Sequence, residues 1–354
     1  MKRCSIHVAA ILFSLLIAAC ATPMESDQTQ EEEARVLTVM THDSFSISEQ
    51  TLQAFQDEND VQIRFLKSGD TGTTVNKAIL TKDKPLADVL YGVDNTFLSR
   101  ALEQEIFDSY SSVWLSAIND DFELDPTHRV LPVDFGDVCL NFDLAYFEEH
   151  GIPTPDSLQN LLEPIYKDLL VVQNPATSSP GLAFLLTTIG NFGDPGYLEF
   201  WQGLVDNNLL VVNDWEVAYY QEFSRSGGSR PIVVSYGSSP PFEVIFSETP
   251  ISTPPTSALV NDGACFRQIE FVGILKGTQN RDLAEKWIDF MLSPEFQEDI
   301  PLQMFVFPVN DQAQLDPVFT EFLSIPEETA FVSFEDINEF REKWINEWTQ
   351  LVLR

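Results

Sequence analysis

The sequence predicts a two-lobed α/β protein, each lobe a doubly wound, mainly parallel sheet with helices on both faces. Three observations predict it. From Val36 onward, short apolar runs alternate with amphipathic stretches of helical period, the pattern of a parallel sheet clothed by helices. A chain of 354 residues exceeds one comfortable core and favours two lobes. Two irregular stretches, Asp125–Asp137 and the Pro- and Ser-rich Gly237–Pro255, have the composition of crossings between lobes or of loops around a pocket.

The elements follow in order. Val36–Thr41 reads as a strand, and Ser48–Glu58 as a helix opened by a Ser cap. Val61–Leu66 and Ala87–Gly92 are further strands, with a helix over Thr73–Leu80 between them and another starting at Asn95. The middle of the chain repeats the theme. Leu169–Gln173, Leu209–Val212 and Pro231–Ser235 read as strands; Gly181–Phe192, Gly196–Val205 and Asp214–Phe223 read as helices. A last strand, Gln268–Leu275, precedes an amphipathic helix over Asn280–Met291. At the end, Glu335–Leu351 carries Phe340, Trp344, Trp348 and Leu351 at helical spacing, a stripe expected in the core rather than around a cofactor. The expected organisation is a first lobe over 36–134, a second over 135–260, and a return to the first lobe over 261–354 with the C-terminal helices.

The start of the chain sets an expected compartment. Lys2 and Arg3 precede a short apolar run, Ile11 to Ile17, and then Ala18-Ala19-Cys20, the layout of an export signal over residues 1–19. A bilayer span needs roughly 20 apolar residues, more than this run supplies. Ile17-Ala18-Ala19-Cys20 resembles the lipobox of bacterial lipoproteins, in which the cysteine is acylated and becomes the mature N-terminus. The expectation is an exported lipoprotein, held at the outer face of the cell membrane or in the periplasm by Cys20. Residues 20–35 are polar and acidic and read as a flexible tether with a reach on the order of 20 Å. Of the four cysteines, Cys4 lies in the signal and Cys20 carries lipid. Cys139 and Cys265 remain, an even pair in an oxidising compartment, either bridged or two buried thiols. Neither has a Cys or His at metal-ligand spacing, so no metal site is expected.

Composition narrows the function. A formal net charge of −35 argues against a nucleic-acid partner, because neutralising phosphates needs clustered Lys and Arg. It is compatible with a cationic ligand. Catalysis lacks residues: there is no G-x-S-x-G, H-E-x-x-H or P-loop, and of the four histidines His7 is in the signal, His128 in a loop and His150 at a helix end. An exported hydrolase would need a nucleophile with a base, and nothing favours a triad built on His42. A binding protein without cofactor is expected, not an enzyme.

The polar and aromatic residues just past each strand are the candidate site, since ligands of doubly wound sheets bind at strand carboxyl ends. His42 follows the first strand, Asp70 and Thr71 the second, and Trp215 comes after Leu209–Val212. Ser178 and Ser179 open a helix with Pro180 in its first turn, either an anion site or an ordinary cap. Tyr236, Gly237, Ser238 and Ser239 follow Pro231–Ser235. Asp70 suits a ligand amine, while Trp215 and Tyr236 suit an aromatic or cationic ring or else are half-buried loop aromatics.

The segments LTVMTHDSF, DVLYGVDNTFL, NPATSSPGLAFLL, VVNDW, IVVSYGSSP, GTQNRDLAEKWIDFMLSPEFQEDIP and WINEW, in order from Val36 to the end, resemble the thiamine-binding proteins of bacterial ABC importers. The resemblance implies the type II periplasmic-binding-protein fold, the Venus-flytrap arrangement, in a monomer that hands thiamine or its mono- and diphosphate to ABC permease subunits. It implies ligand contacts at His42, Asp70, Thr71, Ser178, Ser179, Trp215, Tyr236 to Ser239 and Phe242. Asp70 would pair with the aminopyrimidine edge, and the Ser178 helix start would take the hydroxyethyl group or its phosphate. The family often has Tyr where this chain has His42 and Phe242, and the Asp-Gly pair that can follow the second strand is here Asp70-Thr71-Gly72. Ferric-iron and other small-solute proteins of the same fold are the alternative. Their adjacent tyrosines follow a late strand, whereas Tyr219-Tyr220 falls inside the helix after Trp215.

Overall fold

The computed structural model describes residues 35–353, apart from 262, 316, 318–320, 324 and 325. The expected signal, Cys20 and the tether up to residue 34 lie outside the described residues; Arg35 already belongs to the first strand.

Two parallel trios of strands form the ends of one sheet. In the first, β1 (Arg35–Thr41) pairs in parallel with β2 (Val61–Lys67) and β3 (Val89–Asp94). All of β3 is buried, as expected for a parallel strand covered on both faces. Between these strands run α1 (Glu49–Asn59), which Ser48 caps by accepting from the Thr51 N–H at 3.2 Å, and α2 (Thr71–Leu80), which Asp70 caps. A short α3 (Leu98–Glu103) follows β3. In the second trio, β6 (Leu170–Gln173) pairs in parallel with β7 (Leu210–Val212) and β8 (Ile232–Tyr236), and α5 (Ser179–Phe192) and α6 (Gly196–Asp206) connect β6 to β7.

Long antiparallel strands join the trios. β5 (Leu131–Asp143) and β10 (Phe266–Leu275) pair with each other; β10 also flanks β3, and β5 flanks β8, giving the order β2-β1-β3-β10-β5-β8-β6-β7. The sheet is therefore mixed, with parallel ends and an antiparallel middle. β5 overturns the expectation of an irregular stretch to residue 137. Pro132, Asp134, Gly136 and Asp137 read as turn residues, yet the strand is buried almost throughout. A bulge absorbs the proline: Glu270 faces Asp134 and Phe271 faces Pro132, leaving Val133 without a partner on β10. The amide of Gln297, in α10 (Pro294–Met304), donates to the Val133 carbonyl at 2.7 Å and satisfies it.

Two other expectations change. Within Gly237–Pro255 the chain forms α8 (Ser239–Ile245), with Pro240 in the first turn, where a missing N–H costs nothing. The stretch after Asp214 starts as α7 (Trp215–Val217), which Asp214 caps by accepting from the Val217 N–H at 2.8 Å, and widens into a π-turn over Ala218–Glu222.

The core splits across the sheet. Trp287 of α9 (Arg281–Leu292) meets Phe55 edge-on at 4.9 Å and Phe290 at 5.5 Å. The last helix, α11 (Phe334–Val352), lays Trp348 edge-on against Trp201 of α6 at 5.5 Å, and Tyr197 donates to Glu347 at 2.7 Å. This helix thus packs chiefly on α6 of the 135–260 segment, not on the first lobe as expected. Toward the first lobe, Arg341 lies over the Phe97 ring at 4.3 Å and Glu342 accepts from Arg100 of α3 at 3.0 Å.

Cys139 lies inside β5, opposite Ser235, and Cys265 stands just before β10; their sulfurs are bonded, with Cα atoms 4.4 Å apart. Thiol titration of the unfolded, unreduced protein is expected to find neither Cys139 nor Cys265 reactive; two reactive thiols would show that the strands are not covalently tied.

Candidate functional site

The carboxyl ends of both trios point at one place. His42 follows β1, Asp70 follows β2, Ser179 and Pro180 open α5 after β6, Trp215 follows β7, and Tyr236 ends β8. With Ser44, Thr71, Glu270, Met304 and Val306 they line an inner space of about 30 Å³, room for roughly one water molecule. The two sides touch directly. The Trp215 N–H donates to Asp70 Oδ2 at 3.3 Å, and the Gly72 N–H donates to the Thr177 carbonyl at 3.1 Å. Glycine is needed at 72, because a Cβ there would lie 2.9 Å from the carbonyl oxygens of Ala176 and Thr177. The structure is thus a closed cleft.

Aromatic rings form the wall. Trp215 stacks on Tyr219 at 5.1 Å, and its indole N–H donates to Ser235 at 3.0 Å, which fixes the ring plane. Tyr236 stands 6.4 Å from Trp215, and Phe305 stands 6.5 Å from it on another side. Phe305 ends α10 with φ +64°, a left-handed conformation that is strained for a bulky side chain. Its carbonyl accepts from the Ser238 hydroxyl, and its ring packs on Phe242 at 4.0 Å. Beyond Phe305 opens an outer chamber of about 660 Å³, walled by Tyr219, Tyr220, Phe242 and Phe246 and bearing Glu243, Glu248 and Arg225.

Buried charge dominates the inner end. Burial raises the Asp70 pKa, opposed by the Ser178 hydroxyl beside it and by the Thr71 and Trp215 N–H groups. Burial alone would depress His42, but Glu270, whose Oε1 lies 3.4 Å from Nε2, outweighs it and raises the His42 pKa. Burial would raise Glu270 too, yet the His42 charge holds it below the ordinary carboxylate value. Tyr91 donates to Asp134 at 2.6 Å and lies 3.1 Å from Glu270. Asp134, buried and facing Glu270, is pushed well up, and burial carries Asp94 to about 7.

The structure brings together most of the candidates and reassigns some. His42, Asp70, Thr71, Ser179, Trp215 and Tyr236 line the inner space, whereas Phe242 lines the outer chamber. Gly237 donates to the Asp137 carbonyl, and Ser238 holds Phe305. Ser239 shares a hydrogen bond with Ser235 at 2.9 Å and accepts from the Tyr236 N–H at 3.3 Å, so this trio frames the wall. The Ser178 hydroxyl is buried beside the Asp70 carboxylate, and the Ser179 hydroxyl is buried with no hydrogen-bond partner among the described residues. Asp70 is engaged as a cap, its Oδ1 accepting from Thr71 at 2.8 Å. Sequence reasoning missed Glu270, although a lone charge inside the apolar run QIEFVGIL is a visible signal. It also missed Met304, Phe305 and Val306, for which the run QMFVF offers none.

His42 sits on Gly92, whose φ is +94° and where a Cβ would lie 2.4 Å from the imidazole Cδ2. Gly92→Ala is expected to destabilise the protein by about 2 kcal/mol or more, from left-handed strain and the clash together. Denaturant unfolding checks this, and an unchanged midpoint would mean that His42 yields freely.

Comparison with known proteins gives the same picture. Residues 84–339 match the family model described as bacterial extracellular solute-binding protein. The chain is 28 % identical over 323 residues to the thiamine-binding periplasmic protein of Brucella suis, covering 88 % of this chain and 90 % of that one. It is 28 % identical over 350 residues to the protein of the same name from Salmonella typhimurium, covering 96 % and 98 %. A solved periplasmic thiamin binding protein superimposes with a TM-score of 0.78 at 26 % identity, covering 90 % of this chain and 96 % of that one. With a family match over most of its length and a closed cleft between two parallel trios, the chain belongs to the bacterial extracellular solute-binding proteins.

Proposed function

We propose that this chain captures thiamine in the cleft and hands it to a membrane ABC permease. One observation carries the reading: the inner space sets two carboxylates, Asp70 and Glu270, against the rings of Trp215 and Tyr236. Carboxylates and aromatic faces together suit a flat, cationic heteroaromatic solute. An aminopyrimidine would donate to the carboxylate edge, and a thiazolium would lie against the rings. Thiamine is larger than the inner space, so the loops part to admit it, and the outer chamber beyond Phe305 takes what extends outward. The names of the similar proteins support the same ligand. Export, acylation at Cys20, a tether from there to the first strand and a monomeric state complete the proposal.

Titration calorimetry with thiamine tests it, and no heat at any concentration would remove the reading. Trp215→Ala is expected to weaken thiamine binding roughly thirtyfold, since losing a buried ring at an interface costs on the order of 2 kcal/mol. Thermal unfolding run alongside separates this from lost packing with Tyr219, and unchanged affinity would make Trp215 packing only.

The monophosphate would depend on the buried hydroxyls at the start of α5, because apart from His42 the inner wall offers an anion neutral donors and carboxylates and no Arg or Lys. Thiamine and thiamine monophosphate are expected to bind within about tenfold of each other, a gap of roughly 1.4 kcal/mol. The double variant Ser178→Ala, Ser179→Ala should weaken the monophosphate more than thiamine; equal losses would assign both serines to the fold.

A further inference from the structure

Among the described residues, His42 is the one basic side chain on the wall of the inner space. Its ring is almost wholly buried, and its Nε2 has no hydrogen-bond partner, only the Glu270 carboxylate at ion-pair distance, 3.4 Å away. Gly92 forms the floor under the ring, so the imidazole has little freedom to swing away. The groups that face it come from every neighbouring element. Asp70 stands at the start of α2, and Tyr91 of β3 lies 5.6 Å away ring to ring. Lys67 ends β2, its ammonium donating to the Asp43 carbonyl at 2.8 Å. Tyr236 ends β8, and behind Glu270 lie Asp134 of β5 and Asp94 of β3.

This arrangement sets up a competition. Glu270 has one oxygen toward His42 and the other toward Tyr91. A cation admitted among Asp70, Glu270 and the rings of Trp215 and Tyr236 would share one wall with the imidazolium. Two like charges on one buried wall repel strongly, and the mobile one leaves. The mobile charge is the proton on His42, because the ligand cation is permanent.

We propose that His42 determines specificity by exchanging a proton for the ligand: a cationic solute displaces the imidazolium proton to solvent as it settles beside Asp70 and Glu270. The inference rests on the cationic ligand proposed above. Its sign follows from linkage. In the empty protein Glu270 keeps His42 protonated to a higher pH than usual, and the bound cation lowers that pH. Between the two values each ligand releases up to one proton, so affinity rises with pH by at most about tenfold per pH unit and levels off above the window. A neutral solute, which does not repel the imidazolium, releases none.

The experiment is titration calorimetry of the wild-type protein with thiamine between about pH 5.5 and 8, at each pH in two buffers of different ionisation enthalpy. The expected result is release of up to one proton per thiamine and affinity that rises with pH, with both effects lost in His42→Gln. Because that variant could fold poorly, the His42 Cε1 proton is titrated by NMR in the wild type with and without thiamine; its pKa should fall on binding. Thiamine binding with no proton release, a His42 pKa unmoved by ligand, or release that persists in a folded His42→Gln would each overturn the inference alone. No thiamine binding at any pH would overturn the functional reading and this inference with it.

Discussion

The antiparallel pairing of β5 with β10 is the constraint on which the rest of the structure depends. It makes one sheet of two parallel trios, and the disulfide between Cys139 and Cys265 ties the same two segments. Its register sets Glu270 directly across from Asp134. Two carboxylates opposed in a buried sheet repel each other, and each loses its hydration. The protein answers with Tyr91, which reaches both, and with His42, whose charge keeps Glu270 ionised while Asp134 is pushed toward its neutral form. The joint between the lobes and the electrostatics of the cleft are therefore one arrangement. A change at either strand alters both.

That coupling explains why the inner wall is so fully determined. Gln297 holds the carbonyl left over at the bulge and also accepts from the Val309 N–H at 2.9 Å and the Asn310 N–H at 3.0 Å. The same amide thus anchors α10 and the chain after it, which carry Met304, Phe305 and Val306 to the cleft. From the other side Ser238 grips the Phe305 carbonyl. The strained left-handed backbone at Phe305 persists because both neighbours hold it, as is usual where strain serves a site. Closure adds contacts that cost little: a backbone hydrogen bond from Gly72 and one from Trp215 to the Asp70 cap join surfaces whose donors would otherwise be bound to water.

Buried polar groups in this cleft differ in purpose. Ser235, Ser238 and Ser239 are satisfied within the protein and hold rings in place. Ser178 lies against the Asp70 carboxylate, whereas Ser179 is left without a partner among the described residues, which costs a buried hydroxyl on the order of 1–3 kcal/mol. The outer chamber extends the aromatic wall toward solvent, and there Arg225 pairs with Glu243 at 3.5 Å.

Local pattern determined the elements of both trios. The apolar runs of β1, β2, β3, β6, β7 and β8, the Ser48 cap and the stripe of Trp344 and Trp348 are legible because sterics, capping and periodicity act over a few residues. The strand-end loops with His42, Asp70, Trp215 and Tyr236 were legible for the same reason, since parallel strands must place their carboxyl ends on one edge. β5 was not legible. Its Pro132, Asp134, Gly136 and Asp137 are locally unfavourable in a strand, and Tyr91, Gln297 and the opposing β10 make them tolerable there. Nor could the sequence separate the serines that frame the wall from Ser178 and Ser179, or bring Glu270 and Phe305 to the cleft. Those outcomes depend on hydrogen bonds and charges between segments distant in sequence, Ser238 with Phe305 across 67 positions and Tyr91 with Glu270 across 179, and only the tertiary structure brings such partners within reach.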